Sequence, residues 1–165
     1  PIFEGIRNLI SILLAVVVLS SGCEQELNVF NAVDTESMRG VLVGKWTRQP
    51  ITGTVMGFCD VYVTRSKGSY KNGLKHGQWE QWDCKTDLLA VSANYKDGKR
   101  DGLYKAFWEN GKLMEAGIYS NGTIQTSNAF YWESGELMQM NSYDKVGNFI
   151  SSKCYKEDGK YIPCD

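Results

Sequence analysis

Residues 68–122 read GSYKNGLKHGQWEQWDCKTDLLAVSANYKDGKRDGLYKAFWENGKLMEAGIYSNG, and slid along itself by about one hairpin's length the stretch matches itself. Tyr70-Lys71-Asn72-Gly73 returns as Tyr95-Lys96-Asp97-Gly98 and again as Tyr119-Ser120-Asn121-Gly122, in steps of 25 and 24 residues. Gly77 is echoed by Gly102, Trp79 by Tyr104 and Trp82 by Phe107. A fixed period of this size marks stacked supersecondary units, each with too little apolar surface to fold by itself.

The period extends outward in both directions. Twenty-four residues before Gly77, Trp79 and Trp82 stand Gly53, Val55 and Phe58, a degenerate opening unit without the aromatic of the Trp79 position. Twenty-four residues after Trp108-Glu109-Asn110-Gly111, with Leu113 following, comes Trp132-Glu133-Ser134-Gly135, with Leu137 following. That unit ends at Tyr143, and a last partial unit runs through Tyr155.

Within a unit, Asn-Gly or Asp-Gly pairs are flanked by short alternating runs. Such pairs supply the positive φ angles of tight hairpin turns. In strand geometry Leu113, Glu115, Gly117 and Tyr119 point to one face, and Met114, Ala116 and Ile118 to the other. Trp79 and Trp82, three apart, fall on opposite faces. A helix carrying that tryptophan pair is disfavoured because Gly73, Gly77, Gly98 and Gly102 interrupt it before three turns are complete. The expected fold is all-β, an elongated antiparallel meander of stacked hairpins of about 24 residues, over residues 44–165.

The pattern Tyr70-x-Asn72-Gly73-x-x-x-Gly77-x-Trp79-x-x-Trp82, continued as Tyr95-x-Asp97-Gly98-x-x-x-Gly102-x-Tyr104-x-x-Phe107-x-x-Asn110-Gly111-Lys112-Leu113, resembles the MORN-type repeat. The variant is that of bacterial proteins of the YwqK antitoxin-like family, and the resemblance covers about residues 50–145. It implies a sheet of successive hairpins with a binding or scaffolding role, and no enzymatic activity. The third unit departs from the pattern. Thr126 stands where Gly77 and Gly102 stood and Asn128 replaces the aromatic, so a distorted hairpin is expected there.

Ahead of the repeats, Ile6 to Leu19 is a single cation, Arg7, followed by an apolar run that ends at Ser20-Ser21-Gly22-Cys23. The run is shorter than the roughly 20 residues a spanning helix needs and has the form of a secretory signal, here residues 1–22. Leu19-Ser20-Ser21-Gly22-Cys23 resembles the lipobox of bacterial lipoproteins, in which the cysteine is acylated. The family's leucine lies three residues before the cysteine and Leu19 lies four before, which leaves plain signal cleavage as the alternative. Residues 23–43 have mixed charge and no period, and read as a tether.

The 18 basic and 19 acidic residues nearly cancel, which sets the chain apart from nucleic-acid binders with their basic excess. Besides Cys23 there are four cysteines. Cys59 and Cys84 are one repeat apart, and Cys154 and Cys164 bracket a short tail. An even number in an exported chain suggests disulfides, whereas a metal site lacks any C-x-x-C pair. His76 reads as a solvated turn residue, with no elbow motif to hold a nucleophile beside it. Glu80, Glu109, Glu115 and Glu133 read as strand-face and turn residues.

Lys71 and Lys75 in one turn, and Lys96, Lys99 and Arg100 in the next, read as solubilising charges, with anionic headgroups as the rival partner. The expectation is a non-catalytic envelope protein without metal or cofactor, held at the membrane through Cys23, or secreted, and binding a protein or cell-wall partner. The alternative is an antitoxin or immunity protein that sequesters a toxin.

Overall fold

The computed structural model describes residues 29–31, 35–38, 41–59 and 64–164. The expected signal segment and Cys23 lie outside them. The strands are β1 (Val29–Asn31), β2 (Thr35–Met38), β3 (Val41–Gly44), β4 (Gly53–Gly57), β5 (Thr64–Lys71), β6 (Leu74–Asp83), β7 (Leu89–Lys96), β8 (Lys99–Phe107), β9 (Leu113–Ser120), β10 (Thr123–Tyr131), β11 (Leu137–Tyr143), β12 (Phe149–Tyr155) and β13 (Tyr161–Ile162). No helix occurs among the described residues. Strands β4 to β13 pair in chain order as a ten-stranded antiparallel meander. Strand β1 adds in parallel to β4, and β2 and β3 form a separate hairpin.

The folded body therefore begins before residue 44. Parts of the expected tether, residues 29–31, 35–38 and 41–43, supply β1, β2 and all of β3 but its last residue. These strands have no repeat of their own and are held by the first repeat: Leu42 N donates to Gly73 O, Ile51 N to Leu42 O and Gly73 N to Ile51 O. Val43 and Ile51 are buried there.

The turns repeat because the chemistry of their residues repeats. Asn72, Asp97 and Asn121 take φ near 50°, each followed by a glycine at positive φ, the geometry of a two-residue hairpin turn. Successive turns on this edge are tied together, with Gly98 N donating to Lys75 O at 2.9 Å and Gly122 N to Arg100 O at 2.8 Å. On the other edge Trp108 Nε1 donates to Tyr131 O at 3.0 Å and Trp132 Nε1 to Tyr155 O at 3.2 Å. Asn110 Nδ2 donates to Glu133 O at 2.9 Å. Each unit thus clasps the backbone of the next.

The third hairpin keeps the common shape, contrary to expectation. Gly68 pairs Trp79 and Tyr70 pairs Lys75; Ala93 pairs Tyr104 and Tyr95 pairs Arg100; Gly117 pairs Asn128 and Tyr119 pairs Ile124. All three contain the same bulge, at Gly77, Gly102 and Thr126, and Thr126 adopts φ 52° to preserve it. The neighbouring strands on both sides fix the register, and the local residue yields.

A second recurring bulge alters the expected faces. Leu113 pairs Phe107 and Glu115 pairs Ala106, so Met114 is the extra residue. Met114 consequently packs with Tyr119 against the buried trio Ala93, Tyr104 and Ala106, although strict alternation sets it on the opposite face. The same irregularity recurs where Leu89, Leu137 and Phe149 enter their strands.

Candidate binding face

One row of residues crosses the sheet through paired positions: Val55, Gly68, Trp79, Ala93, Tyr104, Gly117 and Asn128. Small residues on β5, β7 and β9 alternate with large ones on β6 and β8. The small ones leave the rings room to lie over the backbone, where a Cβ on Gly68 would fall inside the Trp79 indole.

Each ring then meets the tyrosine of the following turn edge-on. Trp79 and Tyr95 have centroids 6.4 Å apart at 75°, and Tyr104 and Tyr119 6.0 Å apart at 81°. Such T-shaped pairs are favoured by the ring quadrupoles. A cation sits over each pair. Lys75 Nζ is 3.6 Å from the Trp79 centroid and 4.9 Å from that of Tyr95. Arg100, one repeat later, has its Cζ 4.1 Å from Tyr104 and 5.3 Å from Tyr119.

These two cations are a finding the sequence did not yield. They read there as turn charges, but Lys75 and Arg100 lie in β6 and β8 and fold back over the rings. Burial, and then the charge of Arg100, pulls the Lys75 ammonium below its ordinary pKa. Burial, and then Glu115, raises the Tyr104 phenol, and burial raises that of Tyr70.

The ladder changes character in the third unit. Ile124 takes the cation's register position opposite Tyr119, and Asn128, 7% exposed, takes the ring's. Its Oδ1 accepts from Tyr143 Oη at 3.1 Å and its Nδ2 donates to Glu115 Oε1 at 3.3 Å. A hydrogen-bonded node thereby replaces a ring stack. Toward the C-terminal end Tyr143 meets Phe149 and Tyr155 meets Tyr161, again edge-on.

The remaining residues singled out from the sequence fall into place around this face. Trp82, three beyond Trp79, carries the Arg65 guanidinium 5.0 Å above its ring, and Arg65 pairs with Asp87 at 2.8 Å. Phe107 and Leu113 pair across β8 and β9, and Leu137 pairs Tyr131. Gly111 and Gly135 close the turns on the tryptophan-clasp edge, where their amides donate to Trp108 O and Trp132 O. Cys59 is bonded to Cys84 with Cα atoms 5.6 Å apart, and Cys154 to Cys164 with Cα atoms 5.3 Å apart.

His76 lies in β6 and not in the turn, its Nδ1 3.4 Å from Asp97 Oδ1 of the next unit. Glu80 accepts from Gln78 Nε2 at 2.8 Å. Among the described residues no group of three or more His, Cys, Asp or Glu side chains is placed to hold a metal ion.

No protein-family profile matches the chain. No curated protein matches it either. Among solved structures it is similar to a crystal structure of TarM, at 13% identity over 52% of this chain and 16% of that one, with a TM-score of 0.34. It is similar to the same degree of identity to a mutant of S. aureus TarM in complex with fondaparinux, alpha-GlcNAc-glycerol and UDP, over 52% of this chain and 17% of that one, TM-score 0.35. The chain thus spans about a sixth of the length of those proteins, and a likeness this slight carries no functional inference.

Proposed function

We propose that the chain is a non-catalytic binding module of the bacterial envelope, exported and tethered through Cys23, that offers its repeat sheet to a protein or cell-wall partner. The observation that supports it most is the sheet's single-layer construction. Among the described residues Trp79, Tyr95 and Tyr119 and the cations Lys75 and Arg100 are only partly buried, so this part of the ladder is open to a partner, although Tyr104 beneath Arg100 is buried. Extended surfaces built from stacked repeats are a common means of recognition.

The two disulfides agree with export. Such bonds persist in oxidising compartments and are rare where glutathione and thioredoxin keep thiols reduced. They also weigh against neutralising a toxin in the cytosol. The resemblance to bacterial MORN-type proteins agrees with binding in place of chemistry.

The anchor is tested by growing cells that express the full chain with labelled palmitate. Label on the wild type and its loss in Cys23→Ser is the expected result. An unlabelled wild type removes the tether. Crosslinking in intact cells, followed by comparison of wild type with Lys75→Glu/Arg100→Glu, tests the binding face.

A further inference from the structure

The first unit lacks a rung of the aromatic ladder. Trp79 meets Tyr95 and Tyr104 meets Tyr119, but the residue at the same register before Tyr70 is Val55. Gly68 separates Val55 from Trp79, and the Trp79 indole lies over it and not over Val55. Beside the buried Val55 is a cleft of about 360 Å³ with Val55, Tyr70 and Trp79 among its walls. The β2–β3 hairpin bounds it through Ser37 and Leu42, and it adjoins a second compartment of about 280 Å³ that shares Ser37, Leu42 and Tyr70 and reaches Lys75.

The chemistry of the walls narrows the occupant. Tyr70 and the part of the Trp79 indole that Lys75 and Gly68 leave uncovered supply aromatic surface, while Thr35, Ser37, Thr64, Ser66 and the Gln81 amide supply neutral donors and acceptors around it. Charge is nearly absent: Glu36 is paired with Arg48, and Lys75 lies over the Trp79 ring. An anion has no basic cluster to meet in this cleft, and an apolar chain or an aromatic peptide side chain makes no use of four hydroxyls and an amide. A saturated ring with an apolar C–H face and a hydroxyl periphery uses both kinds of wall. Sites of this kind combine an apolar surface with a few placed polar groups that fix orientation.

We infer that the missing rung is a binding site for a neutral oligosaccharide, one sugar ring taking the place of the absent side chain and the next extending into the adjoining compartment. The inference rests on the reading of the chain as a binding module and names the ligand class. It does not depend on the lipid anchor.

The full chain, purified in detergent, is titrated with the β-1,4-linked N-acetylglucosamine tetramer and with cellotetraose. Binding is followed by tryptophan fluorescence and calorimetry. Saturable binding of at least one sugar is expected. Val55→Tyr restores the rung seen at Tyr104, so the fold is kept and binding is lost. Gln81→Ala removes one polar contact and weakens binding about tenfold with an unchanged melting temperature.

Neither sugar binding overturns the inference, as does a sugar affinity unaffected in a folded Val55→Tyr. Should Val55→Tyr not fold, Gln81→Ala and Ser66→Ala decide alone, and unchanged affinity in both overturns it. N-acetylphenylalanine amide binding to the cleft while both sugars fail assigns it to peptides and overturns it as well. Palmitate labelling of the same preparation reads the anchor separately, so a failed titration with label intact sinks only the sugar site.

Discussion

Gly68 and Trp79 are paired across β5 and β6, and the indole lies over the glycine's Cα so closely that a methyl group there has no space. The ring can move only by giving up its contacts with Lys75 above it and Tyr95 at its edge. Gly68→Ala is therefore an overpacking substitution, expected to cost about 2–3 kcal/mol. At roughly 2–4 °C per kcal/mol for a chain of this size, that is a fall of about 5–10 °C in Tm. Gly159→Ala serves as the control: its φ is 81° but nothing lies within 4 Å of the added Cβ, so only backbone strain of about 1 kcal/mol is incurred. Equal losses in the two variants would show that the Gly68–Trp79 contact is not what matters.

Thr126 holds the bulge of the third unit at φ 52°, where Gly77 and Gly102 hold it in the others. A β-branched residue in that region costs about 1–2 kcal/mol. Glycine removes that strain but adds about 0.5–1 kcal/mol of chain entropy to the unfolded state. Thr126→Gly is thus expected to stabilise the protein slightly, by about 0.5–1 kcal/mol, read as a rise in urea midpoint with an unchanged slope. A lower midpoint would mean that the threonine's own contacts outweigh its strain.

Asp83 and Asp144 anchor turns on opposite edges. Asp83 accepts from the amides of Thr86 and Lys85, and Asp144 from the side chain and amide of Asn148. These bonds favour the carboxylates and lower both pKa values from the ordinary 3.8. At acid pH the unfolded chain therefore takes up these protons first. The stability they contribute is complete above pH 3.8 and is lost as pH falls through the lower, folded values. In Asp83→Asn/Asp144→Asn that contribution is missing at every pH. Melting curves from pH 6 to pH 2 should show the wild-type advantage shrinking only below about pH 4. A constant gap would exclude the linkage.

How far the fold could be read from the chain depends on which forces were local. The Asn72-Gly73, Asp97-Gly98 and Asn121-Gly122 turns are set by residues adjacent in sequence, and their spacing alone gave the hairpins. The pairing of Cys59 with Cys84 likewise followed from one repeat of separation. What stayed hidden was decided across strands. Lys75 and Arg100 are ordinary turn-side charges until register brings a tryptophan and three tyrosines beneath them. Met114 changes face because of a bulge that no alternation rule anticipates. Thr126 keeps a glycine's conformation because its neighbours hold the register. Strands β1 to β3 have no period, and their order depends on bonds to Ile51 and Gly73 that only the assembled first unit presents. The empty rung at Val55 was visible as a degenerate repeat, but the hairpin that walls it was not.

The two disulfides differ in what they restrain, and that difference is measurable. Cys59–Cys84 closes a loop of 25 residues around the first full hairpin, while Cys154–Cys164 closes one of 10 around β13. On loop length alone each restricts the unfolded chain by about 3 kcal/mol, slightly more for the longer loop. But β13 is two residues long and paired only to β12, so it can detach without unfolding its neighbours. Cys59→Ser/Cys84→Ser should accordingly lower the global midpoint by most of the expected amount. Cys154→Ser/Cys164→Ser should instead show faster amide exchange at Tyr161 and Ile162 with a smaller change in global stability. If the second variant lost as much global stability as the first, the C-terminal strand would have to be part of one cooperative unit with β5 and β6.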